Sequence, residues 1–146
     1  MKAIGLKGKE SDVDRVIKVL MYDNYYEPDL IKVKKNETIK FLVKNNGELV
    51  HEFNIATKEM HLKHQPEMMK MVENEILLGD KIDYEKMKEI AKTDHSMAHS
   101  HSNSVLLEPN QSGEIIWKFN TEISLEAACN VPGHYESSMF AKININ

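Results

Sequence analysis

The stretch that decides the fold is Cys129-Asn130-Val131-Pro132-Gly133-His134-Tyr135-Glu136-Ser137-Ser138-Met139. It holds the only cysteine of the chain, a histidine five residues on and a methionine five further. Ala127-Ala128-Cys129 ends one strand, and Ala141, Ile143 and Ile145 alternate with polar residues as the next strand begins. Between them Pro132-Gly133 forces a turn that can fold His134 back toward the sulfur. Far upstream, His51 sits in Gly47-Glu48-Leu49-Val50-His51-Glu52-Phe53. Two imidazoles, one thiolate and one thioether are the donor set of a mononuclear copper electron-transfer site. Sulfur suits Cu(I) and imidazole suits both oxidation states, so little has to rearrange when one electron moves.

The β pattern extends outward from this loop. Arg15 to Met21 is β-branched at its centre and reads as a buried strand, and Tyr22 to Pro28 is a turn-rich connection. Ile31 and Val33 alternate with lysines, as do Ile39, Phe41 and Val43 after the turn Lys35-Asn36-Glu37. Asn45-Asn46-Gly47 breaks the pattern, and His51 to Ala56 resumes it. Residues two apart in a strand share a face, so His51 points inward with Phe53 and Ile55, and Glu52 points outward, toward solvent or the periphery of the site. Val105 and Leu107, then Ile115, Trp117 and Phe119, then Leu125 to Ala128 complete seven or eight short strands separated by turn signals. That count predicts an all-β, two-sheet sandwich.

One block does not fit the period of two. From about residue 57 to 103 the chain is charged, Met-rich and helical in period, an insertion within what reads as one domain over residues 1–146. It is expected to contain a helix over Gln65 to Leu77, with Pro66 in its first turn, and a second over Asp83 to Lys92, capped by Asp83. Asp94 to Asn103 is a short His/Ser stretch, polar, expected to be mobile and with no packing duty. Six methionines and five histidines fall between Met60 and His101. Met60, His64, Met68 and Met71 would share a helix face if the helix were continuous. Methionines here pack the insertion onto the sandwich or, with imidazoles, gather Cu(I). On the second reading Met60, His61, His64, Met68, His95, Met97, His99 and His101 form a secondary copper-binding set.

At its ligand motifs the chain resembles the cupredoxins, the blue-copper protein family. The resemblance covers about Arg15 to Ala56 and Asn103 to Asn146. Tyr22-Asp23-Asn24-Tyr25-Tyr26-Glu27-Pro28, the His51 segment and Ala128-Cys129-Asn130-Val131-Pro132-Gly133-His134-Tyr135 look most like periplasmic cupredoxins of bacterial copper tolerance, which also carry a Met/His-rich insertion. The resemblance implies a Greek-key sandwich. It implies one type 1 copper cycling between Cu(I) and Cu(II), held equatorially by His51, Cys129 and His134 and axially by Met139. It further implies a His134 ring edge exposed at one end of the barrel, from which electrons pass to a transient redox partner protein.

Composition excludes much else. A net charge of -4 over 146 residues does not point to nucleic acid. No run of about 18 apolar residues exists to span a membrane. Met1 to Ser11 lacks the apolar core of a signal peptide, which is expected of a cytosolic protein or of a mature form with an added start Met, and the copper site favours the second, a mature periplasmic form. A lone Cys is by base rate a small buried hydrophobe, and only its context makes it a ligand. There is no phosphate loop, no Gly-x-Ser-x-Gly elbow and no His-Glu-x-x-His helix. A structural zinc site would want more Cys or His and no thioether. Two functions share the remaining site: an electron carrier, and a copper-tolerance protein that buffers or sequesters copper. Neither requires enzymatic turnover, although cuprous oxidation would be compatible with the site.

Overall fold

Ile39, Phe41 and Val43 are fully buried while Lys40 between them is half-buried and Leu42 and Lys44 are exposed, the signature of a strand with one face on a core. The same alternation recurs down the chain. This computed structural model describes residues 3–98 and 101–146. Among them lie ten strands: β1 (Leu6–Lys7), β2 (Arg15–Tyr22), β3 (Tyr25–Glu27), β4 (Leu30–Val33), β5 (Thr38–Asn45), β6 (His51–Ala56), β7 (Ser104–Leu107), β8 (Ser112–Lys118), β9 (Leu125–Ala128) and β10 (Phe140–Ile145). The two beyond the expected eight are β1 and β3, of two and three residues, too short to show a period.

The strands form two five-stranded sheets, in the orders β1-β8-β5-β2-β3 and β4-β10-β9-β6-β7. β2 runs parallel to β5 and β4 parallel to β10; the other pairs are antiparallel. Between the sheets, the Phe53 ring meets Tyr26 edge-on at 5.5 Å and Phe41 at 5.4 Å, with Phe119 against Phe41 at 6.2 Å. Each such buried side chain contributes roughly 1.5–3 kcal/mol by leaving water. Cys129 and Met139 belong to this same core.

Between β6 and β7 lie two helices, α1 (Lys58–Glu73) and α2 (Tyr84–Ala91). Asp83 caps α2 by accepting from the Lys86 amide at 2.9 Å, as its sequence implies. The other boundary differs. α1 begins seven residues before Gln65, because Thr57 caps it by accepting from the Met60 amide at 3.1 Å. Pro66 therefore stands inside the helix rather than in its first turn. It costs the single backbone bond to Leu62, an exposed residue. The helix ends at Asn74, whose side chain donates to the Lys70 carbonyl, and Glu75 turns the chain with a φ of 58°.

A second core joins this segment to the sandwich: Val50, Met68, Met71, Ile76, Leu77, Ile82 and Met97 are all buried together. Met97 is thus a packing residue on a 3-10 turn at His95–Ala98, against the expectation of a mobile stretch without packing duty. Its unbranched apolar side chain packs among these core residues while its polar neighbour His95 stays exposed. His99 lies outside the described residues.

Candidate metal centre

β6 and β9 are antiparallel neighbours, with Asn54 opposite Ala128. That register brings the first residue of β6, His51, close to the residue that follows β9, Cys129. The chain then folds through successive turns. The His134 amide donates to the Val131 carbonyl at 2.9 Å and the Met139 amide to the His134 carbonyl at 3.1 Å. Gly133 takes a φ of 89°, a conformation that side chains with a Cβ rarely adopt. The Cys129 amide closes the loop on the Met139 carbonyl at 3.1 Å.

Three donor atoms converge as a result. His51 Nδ1 lies 3.2 Å from His134 Nδ1, and Cys129 Sγ lies 3.8 Å and 3.4 Å from them. These atoms sit on a circle of roughly 2 Å radius, the length of a metal–nitrogen or metal–sulfur bond. Among the described residues this is the one such group of three His, Cys, Asp or Glu donors. His51 and Cys129 are buried and His134 is partly exposed. Met139, at the end of the loop, is fully buried in the core that also holds Cys129.

The electrostatics fit a cation. Burial pulls the His51 imidazole below its usual range despite Asp23 beside it. Burial, with His51 as neighbour, does the same to His134. Both rings therefore keep neutral lone pairs. Burial pushes the Cys129 thiol up to about 12, and the nearby Glu52 carboxylate adds to the rise. A thiolate is stable there only with a positive charge alongside. The Glu52 amide already donates to the sulfur at 3.3 Å.

Sequence reasoning missed several partners of these donors. Asp23, on the turn between β2 and β3, places Oδ1 2.7 Å from His51 Nε2 and also accepts from the Glu48 and Leu49 amides. Burial alone would raise this carboxyl, and the hydrogen bonds outweigh it and hold the carboxyl low. Of the two expectations for Glu52, the periphery of the site holds and solvent does not. All six residues of β6 are buried, and His64 of α1 meets the Glu52 carboxylate on the outer face of the strand. The Glu52 carboxylate accepts from the Asn130 backbone N–H at 3.3 Å and lies 3.4 Å from His64 Nε2. Burial would lower His64, but Glu52 and Glu67 overcome it and raise the imidazole above its usual range.

The secondary residues separate. Met68 and Met97 are fully buried in the second core. His61 is buried with Nε2 2.9 Å from the Glu126 carbonyl and Nδ1 3.0 Å from the Asn130 amide, so ligation there would sacrifice two hydrogen bonds. His95 is exposed on the 3-10 turn. Met60, His64, Glu67 and His101 do meet, along with Lys63, around an open cavity of about 480 Å³ beside β6. The His64 and His101 rings approach edge-to-face at 6.3 Å.

The cupredoxin-like domain model matches residues 3–81. Over 158 aligned residues the chain is 38% identical to the copper-resistant cuproprotein CopI of Pseudomonas aeruginosa, covering 99% of this chain and 83% of that protein. Among solved structures, the reduced auracyanin of Roseiflexus castenholzii superposes with a TM-score of 0.64 at 16% identity, covering 92% of this chain and 98% of that one. Auracyanin A of Chloroflexus aurantiacus, described as a "blue" copper protein, gives 0.58 at 15% identity, with 90% and 99% covered. At these identities the two structures speak for the fold.

Proposed function

Because the chain belongs to the cupredoxin-like domain family, we propose that it holds one type 1 copper ion, transfers single electrons and serves copper tolerance in the periplasm. The observation that carries this reading is the convergence of His51 Nδ1, His134 Nδ1 and Cys129 Sγ. Copper bound there would supply a one-electron couple between Cu(I) and Cu(II). The protein's part is to hold the donors. His51 is oriented from Nε2 by Asp23, and the Cys129 sulfur accepts from the Glu52 amide. Met139 is the axial donor in this reading, and the partly exposed His134 faces the transient redox partner. The copper-resistance name of the 38% identical relative supports tolerance as the purpose.

A second reading follows from the cavity that gathers Met60, His64, Glu67 and His101. A thioether with two imidazoles suits Cu(I), and the cavity would then buffer or sequester further copper. Lys63 on the same wall opposes a cation, which ranks this site behind the first.

The deciding experiment is an absorption and EPR spectrum of copper-loaded protein, with Cu(I) titrated against a competing chelator. A strong visible sulfur-to-copper band, lost in Cys129→Ser without loss of fold, supports the first site. A copper-loaded Cys129→Ser protein with an unchanged visible spectrum would sink it. More than one Cu(I) per chain, reduced by His64→Ala, supports the second.

A further inference from the structure

We propose that helix α1 is a strut for the metal-binding loop, acting through His61 as a positioning residue on Asn130. This role in tuning the site rests on the copper reading above, while the mechanical link does not. The Glu126 carbonyl can only accept, so His61 Nε2 carries the proton of the bond between them. His61 Nδ1 is then a lone pair and accepts from the Asn130 side-chain amide at 3.0 Å. Asn130 is 1% exposed, and its other amide atom, Oδ1, is buried with no partner among the described residues. The bond from His61 is therefore what fixes the direction of that side chain.

The strut is itself held at both ends. Thr57 caps the start of α1, and Met68 and Met71 are sunk in the second core. Glu126 makes the link two-sided: its carbonyl accepts the hydrogen bond from His61 Nε2, and its carboxylate accepts from the Tyr135 hydroxyl at 2.8 Å. Asn130 follows Cys129 and Tyr135 follows His134. The residue after each of these two loop donors is thus tied to α1 or β9. Groups one step removed from a metal ligand set its orientation and tune the ion. The segment that reads in the sequence as an insertion becomes part of the centre's frame.

Hydrogen exchange of the metal-free protein tests the link without copper. His61→Phe keeps an aromatic ring, a somewhat larger one, and removes both nitrogens. Amides of residues 129–139 should then exchange roughly tenfold faster, the change one buried hydrogen bond supports, while β2 and β5 stay unchanged. Asn130→Ala breaks the same bond from the other side and keeps the question open to test if His61→Phe does not fold. The double variant should exchange no faster than His61→Phe alone, because that substitution already removes the bond to Asn130. After copper loading, His61→Phe should change the ratio of the sulfur-to-copper bands and shift the reduction potential. His61→Gln, which retains a donor and an acceptor, should recover part of both. Loop exchange unchanged, raised equally throughout the protein, or additive in the double variant overturns the proposal. A wild-type protein that gives no sulfur-to-copper band would instead sink the copper reading, with the exchange result standing apart from it.

Discussion

Asp23 Oδ1 lies 2.7 Å from His51 Nε2, so the ring that offers Nδ1 to the metal centre is gripped from its far side by a carboxylate. That contact fixes the tautomer: Nε2 carries the hydrogen and Nδ1 the lone pair. It also makes the imidazole a stronger donor, which favours the more highly charged metal. Asp23→Asn should therefore keep copper but bind Cu(II) about tenfold or more weakly. A tenfold loss felt by Cu(II) alone raises a one-electron potential by about 59 mV. Voltammetry checks this, and an unchanged potential would show that Asp23 does not act on His51.

Gly47 makes room for this pair. A Cβ built there would collide with Asp23 Oδ1 and come within 2.8 Å of His51 Nε2. Gly47→Ala should destabilise the protein by about 1–3 kcal/mol, the usual cost of overpacking. Part of that cost should vanish in an Asp23→Ala background, where the clashing oxygen is gone and only the contact with the His51 ring remains. Urea unfolding of the four proteins in the cycle measures it, and equal costs in both backgrounds would mean that the clash is not the cause.

The strands around the site were readable because one buried face leaves a period of two, as Ile39, Phe41 and Val43 do. The Cys129 loop was readable because its donors lie close together in sequence. What the period could not reveal is contact across long separations. Asp23 reads as an ordinary turn residue until β2 and β6 are brought together, 28 positions apart. The alternation that turns His51 inward leaves Glu52 facing either solvent or the periphery of the site, and it is the periphery, because no period announces that His64 of α1 will meet its carboxylate. The α1 start was missed because Pro66 is a stronger local signal than the Thr57 cap.

Met139 should tune the centre more than it holds the ion, since axial thioethers in such sites bind weakly. Met139→Leu preserves volume in a fully buried position, so the fold should survive. Copper should remain bound, and the potential should rise, because removing a donor destabilises Cu(II) more than Cu(I). Complete loss of copper, or an unmoved potential, would argue that Met139 is not the axial donor.

Acid should loosen the metal-free protein through His61. Burial holds this imidazole below its usual range, against the Glu126 carbonyl and the Glu52 and Glu126 charges. The unfolded chain then takes up a proton near pH 6.5 that the folded chain still refuses. The stability this neutral ring contributes is full above about pH 6.5 and is lost as pH falls through the lower folded value. His64 has the opposite sign: its raised imidazole contributes stability that is full below about pH 6.5 and is lost as pH rises through the higher folded value. Measured in a His64→Gln background to remove that opposing slope, urea midpoints should fall between about pH 7 and pH 5. Adding His61→Gln should flatten the fall by up to one proton's linkage, leaving the share from the depressed His51 and His134. Parallel pH profiles with and without His61 would show that its ring protonates as readily in the folded protein as in the unfolded chain. The hydrogen bond it accepts from Asn130 would then not be the one that the structure describes.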